Sequence, residues 1–219
     1  MNVLLLFTHS FPYTLEEKTF LEPELKYLSQ AFDKVIIIPR NVKGDCLLEL
    51  PENVSVSHHE IYFPYNRLNV LIKNIPLLIR IIFYELYFSK NRLQYIKNGW
   101  KMLQHLLLVI SNAYRLKKTI EEECDQTDSI VCYSYWFAIW GDILPILKLK
   151  SSLIKKVVSR AHGYDVYEFQ RKGRFFPFRS FNLSVLDQIY CISENGRNYM
   201  ASSYSKFSEK IKLSRLGVD

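Results

Sequence analysis

Ile154-Lys-Lys-Val-Val158, running on through Ser159-Arg160-Ala-His162-Gly163-Tyr-Asp165, is the stretch whose reading decides the fold. A short apolar run closed by glycine predicts a buried strand over Ile154–Ala161, with the His and Asp in the loop at its carboxyl end. Open α/β sheets place their ligand sites at that end of the strands. A loop histidine that only packs is the competing reading. A site is favoured because other predicted strands also end in polar or aromatic clusters, which the same topology would gather on one rim.

The flanking pattern supports that topology. Asn2–Thr8 is short, apolar and continuous, as a central parallel strand should be. Thr14-Leu-Glu-Glu17 has capping-box spacing, and Phe20, Leu21, Leu25 and Leu28 form a helical stripe to about Ala31. Asp33–Pro39 and Asn53–His58 read as the next two strands. Strand, helix, strand implies a right-handed crossover and a parallel sheet. The pattern turns helical from about Asn66 to Glu123, as two or three helices. Ser129–Ser134 is a strand again, and Trp136–Leu149 a helix with Pro145 as an expected kink. Pro177–Leu186 is a short helix or loop, and Gln188–Ile192 a strand. Ser193 is a good N-cap for a helix to about Ser203. Lys210–Ser214 closes the series, and the ending Arg215-Leu-Gly-Val-Asp219 reads as a cut where a second domain would begin.

The chain has 219 residues, 48% of them hydrophobic and 15% aromatic, enough for one sizeable core and against disorder. Its four cysteines have no metal-like spacing; Cys132 and Cys191 fall inside strand-like runs, as small buried thiols of a reducing compartment do. No basic leader precedes Val3-Leu-Leu-Leu-Phe7, so no secretory signal is expected. A balance of 29 Lys+Arg against 22 Asp+Glu gives a net charge of +7. That charge suits nucleic acid, anionic lipid or phosphorylated small molecules, and no nucleic-acid-binding signature accompanies it, so nucleic acid is not the expected partner.

On the predicted rim lie His9 and Ser10, then Tyr133, Tyr135 and Trp136, then Arg160, His162 and Asp165, and finally Ser193. Aromatic faces beside hydroxyls, an imidazole and a carboxylate suit a sugar, whose ring stacks while its edges hydrogen-bond. The helix after Ser193 points N–H groups at the same rim, which favours an anionic group there. Glu17 and Glu22 read as helix-start and surface charges rather than a catalytic pair. There is no GxGxxG after the first strand, no GxxxxGK[ST], no HExxH and no GxSxG, which disfavours a Rossmann dehydrogenase and a P-loop nucleotidase. His58-His59 would point to opposite faces of a strand, so no shared metal is expected.

The set of motifs resembles glycosyltransferase family 4, of the GT-B class, and within it the bacterial exopolysaccharide and capsule enzymes. The pieces are Thr8-His-Ser-Phe-Pro-Tyr13, Thr19-Phe-Leu-Glu-Pro-Glu-Leu25, Phe32-Asp-Lys-Val-Ile-Ile-Ile-Pro39, Tyr133-Ser-Tyr-Trp136, Ala161-His-Gly-Tyr-Asp165, Asp187–Ser193 and Arg215-Leu-Gly-Val-Asp219, in order across the whole chain. The resemblance implies that residues 1–219 are the amino-terminal, Rossmann-like, acceptor-binding domain. The carboxy-terminal domain that binds the nucleotide-sugar donor would lie beyond this chain, which by itself should not transfer sugar. It implies a retaining hexosyltransferase of capsule or exopolysaccharide synthesis, acting on a lipid-linked or polysaccharide acceptor, with no cofactor or metal of its own.

Residue by residue, His162 matches the family's loop histidine near the transferred sugar, and Asp165 its partner acid, the two forming the catalytic pair. His9, Ser10 and Tyr13 occupy the first loop, where Phe-Pro-Tyr replaces a glycine pair found in many relatives. Tyr133, Tyr135, Trp136, Arg160, Gly163 and Ser193 complete the substrate-binding set.

The helical region 66–123 adds a membrane question. Lys73, Arg80, Lys90, Arg92, Lys97, Trp100 and Lys101 sit among apolar and aromatic residues. A basic, aromatic helical region can lie in an anionic headgroup layer, which would put a cytoplasmic protein on the inner face of the cell membrane; packing on the sheet with the charges in water is equally open. Two other classes stay in view: a non-catalytic Rossmann-like scaffold at the membrane surface, and a basic nucleic-acid-binding domain.

Overall fold

The computed structural model describes residues 1–42, 44–89, 91–171 and 175–217; Lys90 and the closing Val218 and Asp219 lie outside them. Among the described residues seven strands form one sheet: β1 (Asn2–Thr8), β2 (Lys34–Pro39), β3 (Val54–Val56), β4 (Ser129–Ser134), β5 (Ile154–Ala161), β6 (Gln188–Cys191) and β7 (Ile211–Leu213). Their order is β3-β2-β1-β4-β5-β6-β7, and every pairing is parallel. The chain builds outward from β1 to β3, then returns to lay β4 against the other side of β1. Winding therefore reverses between β1 and β4, and the carboxyl ends of those two strands diverge into a crevice.

The two-residue period of the strands divides the core. Val3, Leu5 and Phe7 of β1 join Ile36 and Ile38 in a large cluster on one face, while Leu4 and Leu6 join Val35 and Ile37 in a smaller one on the other. α1 (Leu15–Ala31) covers the smaller face with Leu21 and Leu25. The larger face carries α5 (Gly99–Glu123) and α6 (Ile139–Lys150), with Leu106, Ile110, Leu116, Ile143, Leu144 and Leu147 buried. Each such side chain contributes about 1.5–3 kcal/mol on leaving water. Both sides of the central strands are thus dry, which explains their unbroken apolar runs.

Four helices fill the stretch read as two or three: α2 (Arg67–Lys73), α3 (Ile75–Phe88), α4 (Arg92–Lys97) and α5. The breaks fall at asparagines: Asn74, Asn91 and Asn98 stand at the junctions with non-helical backbone. The third strand is shorter than the alternation suggested, three residues rather than six, although the Ser57 N–H still reaches the Ile37 carbonyl at 2.9 Å. α6 begins at Ile139, not Trp136, because the Ser134 hydroxyl turns back to the Trp136 carbonyl and residues 135–138 bend across the top of the sheet. α7 (Gly163–Val166), α8 (Arg179–Val185) and α9 (Glu194–Ser203) complete the set. Ser193 caps α9 as expected, its hydroxyl accepting the Gly196 N–H at 3.1 Å.

One long-range clamp has no counterpart in the pattern reading. Asn112, fully buried in α5, accepts the Tyr62 N–H at 3.2 Å and donates to the Tyr62 carbonyl at 2.8 Å. An amide side chain is the group that satisfies both main-chain functions of one residue. It pins the segment between β3 and α2 to the long helix. All four cysteines are free, with Cys124, Cys132 and Cys191 buried and Cys46 exposed.

Candidate functional site

A cavity of about 830 Å³ opens at the crevice between the ends of β1 and β4. Its wall includes His9 after β1, Arg40 after β2, Trp136, Phe137 and Trp140 after β4, and Tyr164 after β5. His105 and Asp142 enter from α5 and α6, and Arg171, Phe176 and Arg179 close the far side. Indole and phenol faces, imidazole and guanidinium groups and carboxylates meet around one space.

The first loop is organised by Glu17, and here the expected helix-start role is corrected. Glu17 is 3% exposed, and its carboxylate accepts the N–H groups of His9, Ser10 and Phe11 at 3.1, 2.6 and 2.8 Å. It also accepts the Trp136 indole N–H at 2.5 Å. The side chain of Thr14, at the N-cap position, makes no capping bond and instead meets the Ser10 hydroxyl at 2.6 Å. One carboxylate thus holds the loop after β1 and the bend after β4 in a fixed relation. Charge-assisted bonds of this kind are about twice as strong as neutral ones.

Behind Trp136 lies His162. The two rings stand 4.1 Å apart between centroids, and Tyr135 flanks the imidazole at 5.0 Å. His162 is 8% exposed, and both ring nitrogens lack a partner among the described residues. Burial, helped by the nearby Arg160 cation, pushes its pKa down to about 4, so the ring is neutral near pH 7. Asp165 sits beneath it, 1% exposed, with its carboxyl accepting the His162 N–H at 2.5 Å and the Phe137 N–H at 2.8 Å. Burial raises that carboxyl to about 7 despite the Arg179 cation. Asp165 therefore bonds the backbone of its partner rather than the imidazole, tying the loop after β5 to the bend after β4.

The other expected residues divide between this rim and the smaller face. His9 is exposed at the cavity edge, its ring nitrogen 3.1 Å from Asn41. Ser10 belongs to the Glu17 hub. Tyr13 is half-buried on the outer side of the first loop, 5.9 Å from the His58 ring. Tyr133 and Arg160 both turn to Glu24 of α1, each at 3.0 Å, on the face away from the cavity. The Tyr135 hydroxyl and Arg160 Nε are buried there, close to each other, with no hydrogen bond inside the geometric limits among the described residues. Gly163 opens α7, and a Cβ in its place would meet only Tyr167 at 3.9 Å, ordinary contact, so the turn does not demand glycine. Ser193 caps α9 and does not line the cavity.

Four side chains had no local signature. His105 Nε2 lies 3.0 Å from Asp142 Oδ2, and Asn182 donates to Asp142 Oδ1 at 2.6 Å, a triad drawn from α5, α6 and α8. Arg179 is 4% exposed, stacks on Phe137 and Phe176 at 3.7 and 4.1 Å, and its Nη1 has no partner among the described residues. A buried donor on a cavity wall with nothing to bond is costly until a ligand or water meets it. Among the described residues no group of three or more His, Cys, Asp and Glu is placed to hold a metal ion. His58 is exposed while His59 is buried near Trp140, so the pair diverges.

Of the residues considered for a membrane surface, Lys73, Arg80, Arg92, Lys97, Trp100 and Lys101 are all exposed, and Lys90 lies outside the described residues. Phe83, Tyr87, Leu93, Ile96 and Trp100 are each about 70% exposed between those cations. Among the described residues no helix is long and apolar enough to cross a membrane.

The topology and the site's place in it define a Rossmann-like α/β domain. An alpha,alpha-trehalose-phosphate synthase (UDP-forming) from Burkholderia vietnamiensis matches all of this chain over 48% of its own, at 10% identity and a TM-score of 0.50. An alpha,alpha-trehalose 6-phosphate synthase from Burkholderia multivorans (10% identity, 100% of this chain, 49% of that one, TM-score 0.48) and an apo OtsA structure (12%, 94%, 43%, 0.47) are similar at lower scores. The chain spans about half the length of these structures. No family model matches it, and no curated protein matches its sequence.

Proposed function

We propose that this chain is the acceptor-binding half of a retaining glycosyltransferase. It would work opposite a donor-binding domain that holds a nucleotide sugar. The observation that carries the reading is the aromatic, hydrogen-bonding cavity at the point where the sheet's winding reverses. The fold is compatible, and the motif order described above supports both the enzyme class and retention of configuration.

In this reading Trp136 and Tyr164 stack on a sugar ring, while Arg179 Nη1, His9 and the His105–Asp142 pair meet its hydroxyls. His162, neutral, backs the Trp136 indole at 4.1 Å between ring centroids, and Asp165 fixes its loop. The transferred sugar would approach from the donor side of the rim. Exposed apolar side chains interleaved with cations on α2–α4 support a place at an anionic bilayer, hence a lipid-linked acceptor of capsule or exopolysaccharide synthesis.

The test is equilibrium titration of the chain with a panel of hexoses and oligosaccharides, read by quenching of Trp136 and Trp140 fluorescence. Saturable binding that Arg179→Met weakens supports the reading. An unresponsive cavity across the panel, in a protein whose circular dichroism is intact, overturns it.

A further inference from the structure

A second cavity, of about 780 Å³, lies between the segment after β3, α2 and the carboxyl-terminal half of α5. We propose that it is a binding site for the phosphate headgroup of a single anionic lipid; the inference rests on the membrane-facing reading of α2–α4. Its wall carries the half-exposed or exposed rings of Tyr62, Phe63, Tyr65 and Tyr114 together with Lys73 and Arg115, and no carboxylate. Exposed rings around a concave space and cations that form no ion pair among the described residues call for one ligand that is both apolar and anionic.

The site is built rather than incidental. Asn112 clamps the Tyr62 main chain, and the Tyr114 hydroxyl donates to Asn74 Oδ1 at 3.0 Å, while Asn74 in turn donates to the Val70 carbonyl. Those bonds fix the floor and both rims before any ligand arrives. Arg115 lies over the Tyr62 ring at 4.7 Å and spends one terminal nitrogen on the Glu60 carbonyl, so its planar fork is held in place with further donors to offer.

Geometry also gives the ligand a direction. α2 turns Asn69, Val70 and Lys73 to the cavity and leaves Leu68 and Ile72 64% and 56% exposed. A phosphate among Lys73 and Arg115 would let acyl chains pass over those two residues into the bilayer that α3 and α4 face. A free phosphate would leave the four rings uncovered. The lipid is therefore the source to which the site commits.

The probe is dihexanoyl phosphatidic acid kept below its micelle concentration, titrated calorimetrically into the protein. Saturable one-to-one binding is expected, with Arg115→Gln and Lys73→Gln each weakening it about tenfold. Lys118→Gln, further along α5, should leave it unchanged. Equal binding of inorganic phosphate would show a bare anion site and overturn the lipid assignment. So would equal binding of dihexanoyl phosphatidylcholine, or effective competition by single-stranded RNA. Flotation of the variants on phosphatidylglycerol vesicles separates the two ideas. Retained flotation with lost headgroup binding confirms a discrete site, whereas wild-type protein that neither floats nor binds removes both.

Discussion

Glu17 and Trp136, 119 residues apart, share a hydrogen bond of 2.5 Å from indole to carboxylate, and it joins the two loops on either side of the crevice. The same carboxylate takes three consecutive main-chain N–H groups, so the first loop has no independent means of satisfying them. The cavity's shape therefore depends on one side chain of α1.

Glu17→Ala strands four donors, three of them on the main chain. Unfolding in urea is expected to show a loss of about 3 kcal/mol or more, since each unmet buried group costs about 1–3 kcal/mol. A loss below about 1 kcal/mol would mean that water replaces the carboxylate without penalty.

Glu85 is a buried acid in α3, 1% exposed, whose carboxylate takes the Phe181 N–H at 2.6 Å and the Tyr95 hydroxyl at 3.1 Å. Burial pushes it up to about 7. Its folded value lies above the unfolded one, so its contribution is complete below about pH 4.3 and is lost as pH rises through about 7. Glu85→Gln removes that slope. Between pH 5 and 7 the wild type should fall relative to the variant by on the order of 2 kcal/mol. Comparing the two cancels the opposite trends of His59 and His162, whose depressed values favour stability at higher pH. Parallel stability curves would show that Glu85 does not titrate in this range.

Gly141 packs where a Cβ would stand 2.4 Å from Phe137 Cδ2. Gly141→Ala forces that ring to move, an overpacking cost of about 1–3 kcal/mol. Since Arg179 stacks on the same ring, sugar titrations should weaken alongside the melting temperature. Full wild-type stability would show that the ring has room to yield.

Tyr164 is 61% exposed on the cavity rim, with Arg171 over its ring at 5.2 Å. Tyr164→Ala should leave stability within about 0.5 kcal/mol of wild type. Binding of a saccharide that quenches Trp136 should drop by up to about tenfold, the worth of one lost stacking face. An unaltered affinity would place the sugar elsewhere.

Asn112→Leu keeps the branched shape and removes both bonds to Tyr62. Amide exchange at Tyr62 should accelerate about tenfold or more, in line with about 1 kcal/mol per lost bond. Unchanged exchange would mean that α5 does not hold the loop.

The motif after β5 is legible in outline, since Ala161-His162-Gly163 does leave a buried parallel strand at the rim. Asp165 shows where such reading stops. Spacing places it three residues from His162, but only the tertiary structure decides that it binds two main-chain N–H groups instead of the ring. Glu17 is a sharper case: the capping-box spacing is real, yet the donors of residues 9–11 outcompete the local one because they are buried and otherwise unmet. Arg160 and Tyr133 point the other way because the two-residue period of a strand sends them to the α1 face.

Strand and helix periods and the strand–helix–strand order came from local sequence alone, because each rests on interactions within a few residues. The parallel, Rossmann-like arrangement followed from them. Which side chains share the crevice was decided by tertiary structure: His105, Asp142 and Asn182 meet from three helices, and Arg179 reaches Phe137 across 42 positions. Contacts between distant segments depend on how helices cross the sheet, and no local period encodes that geometry.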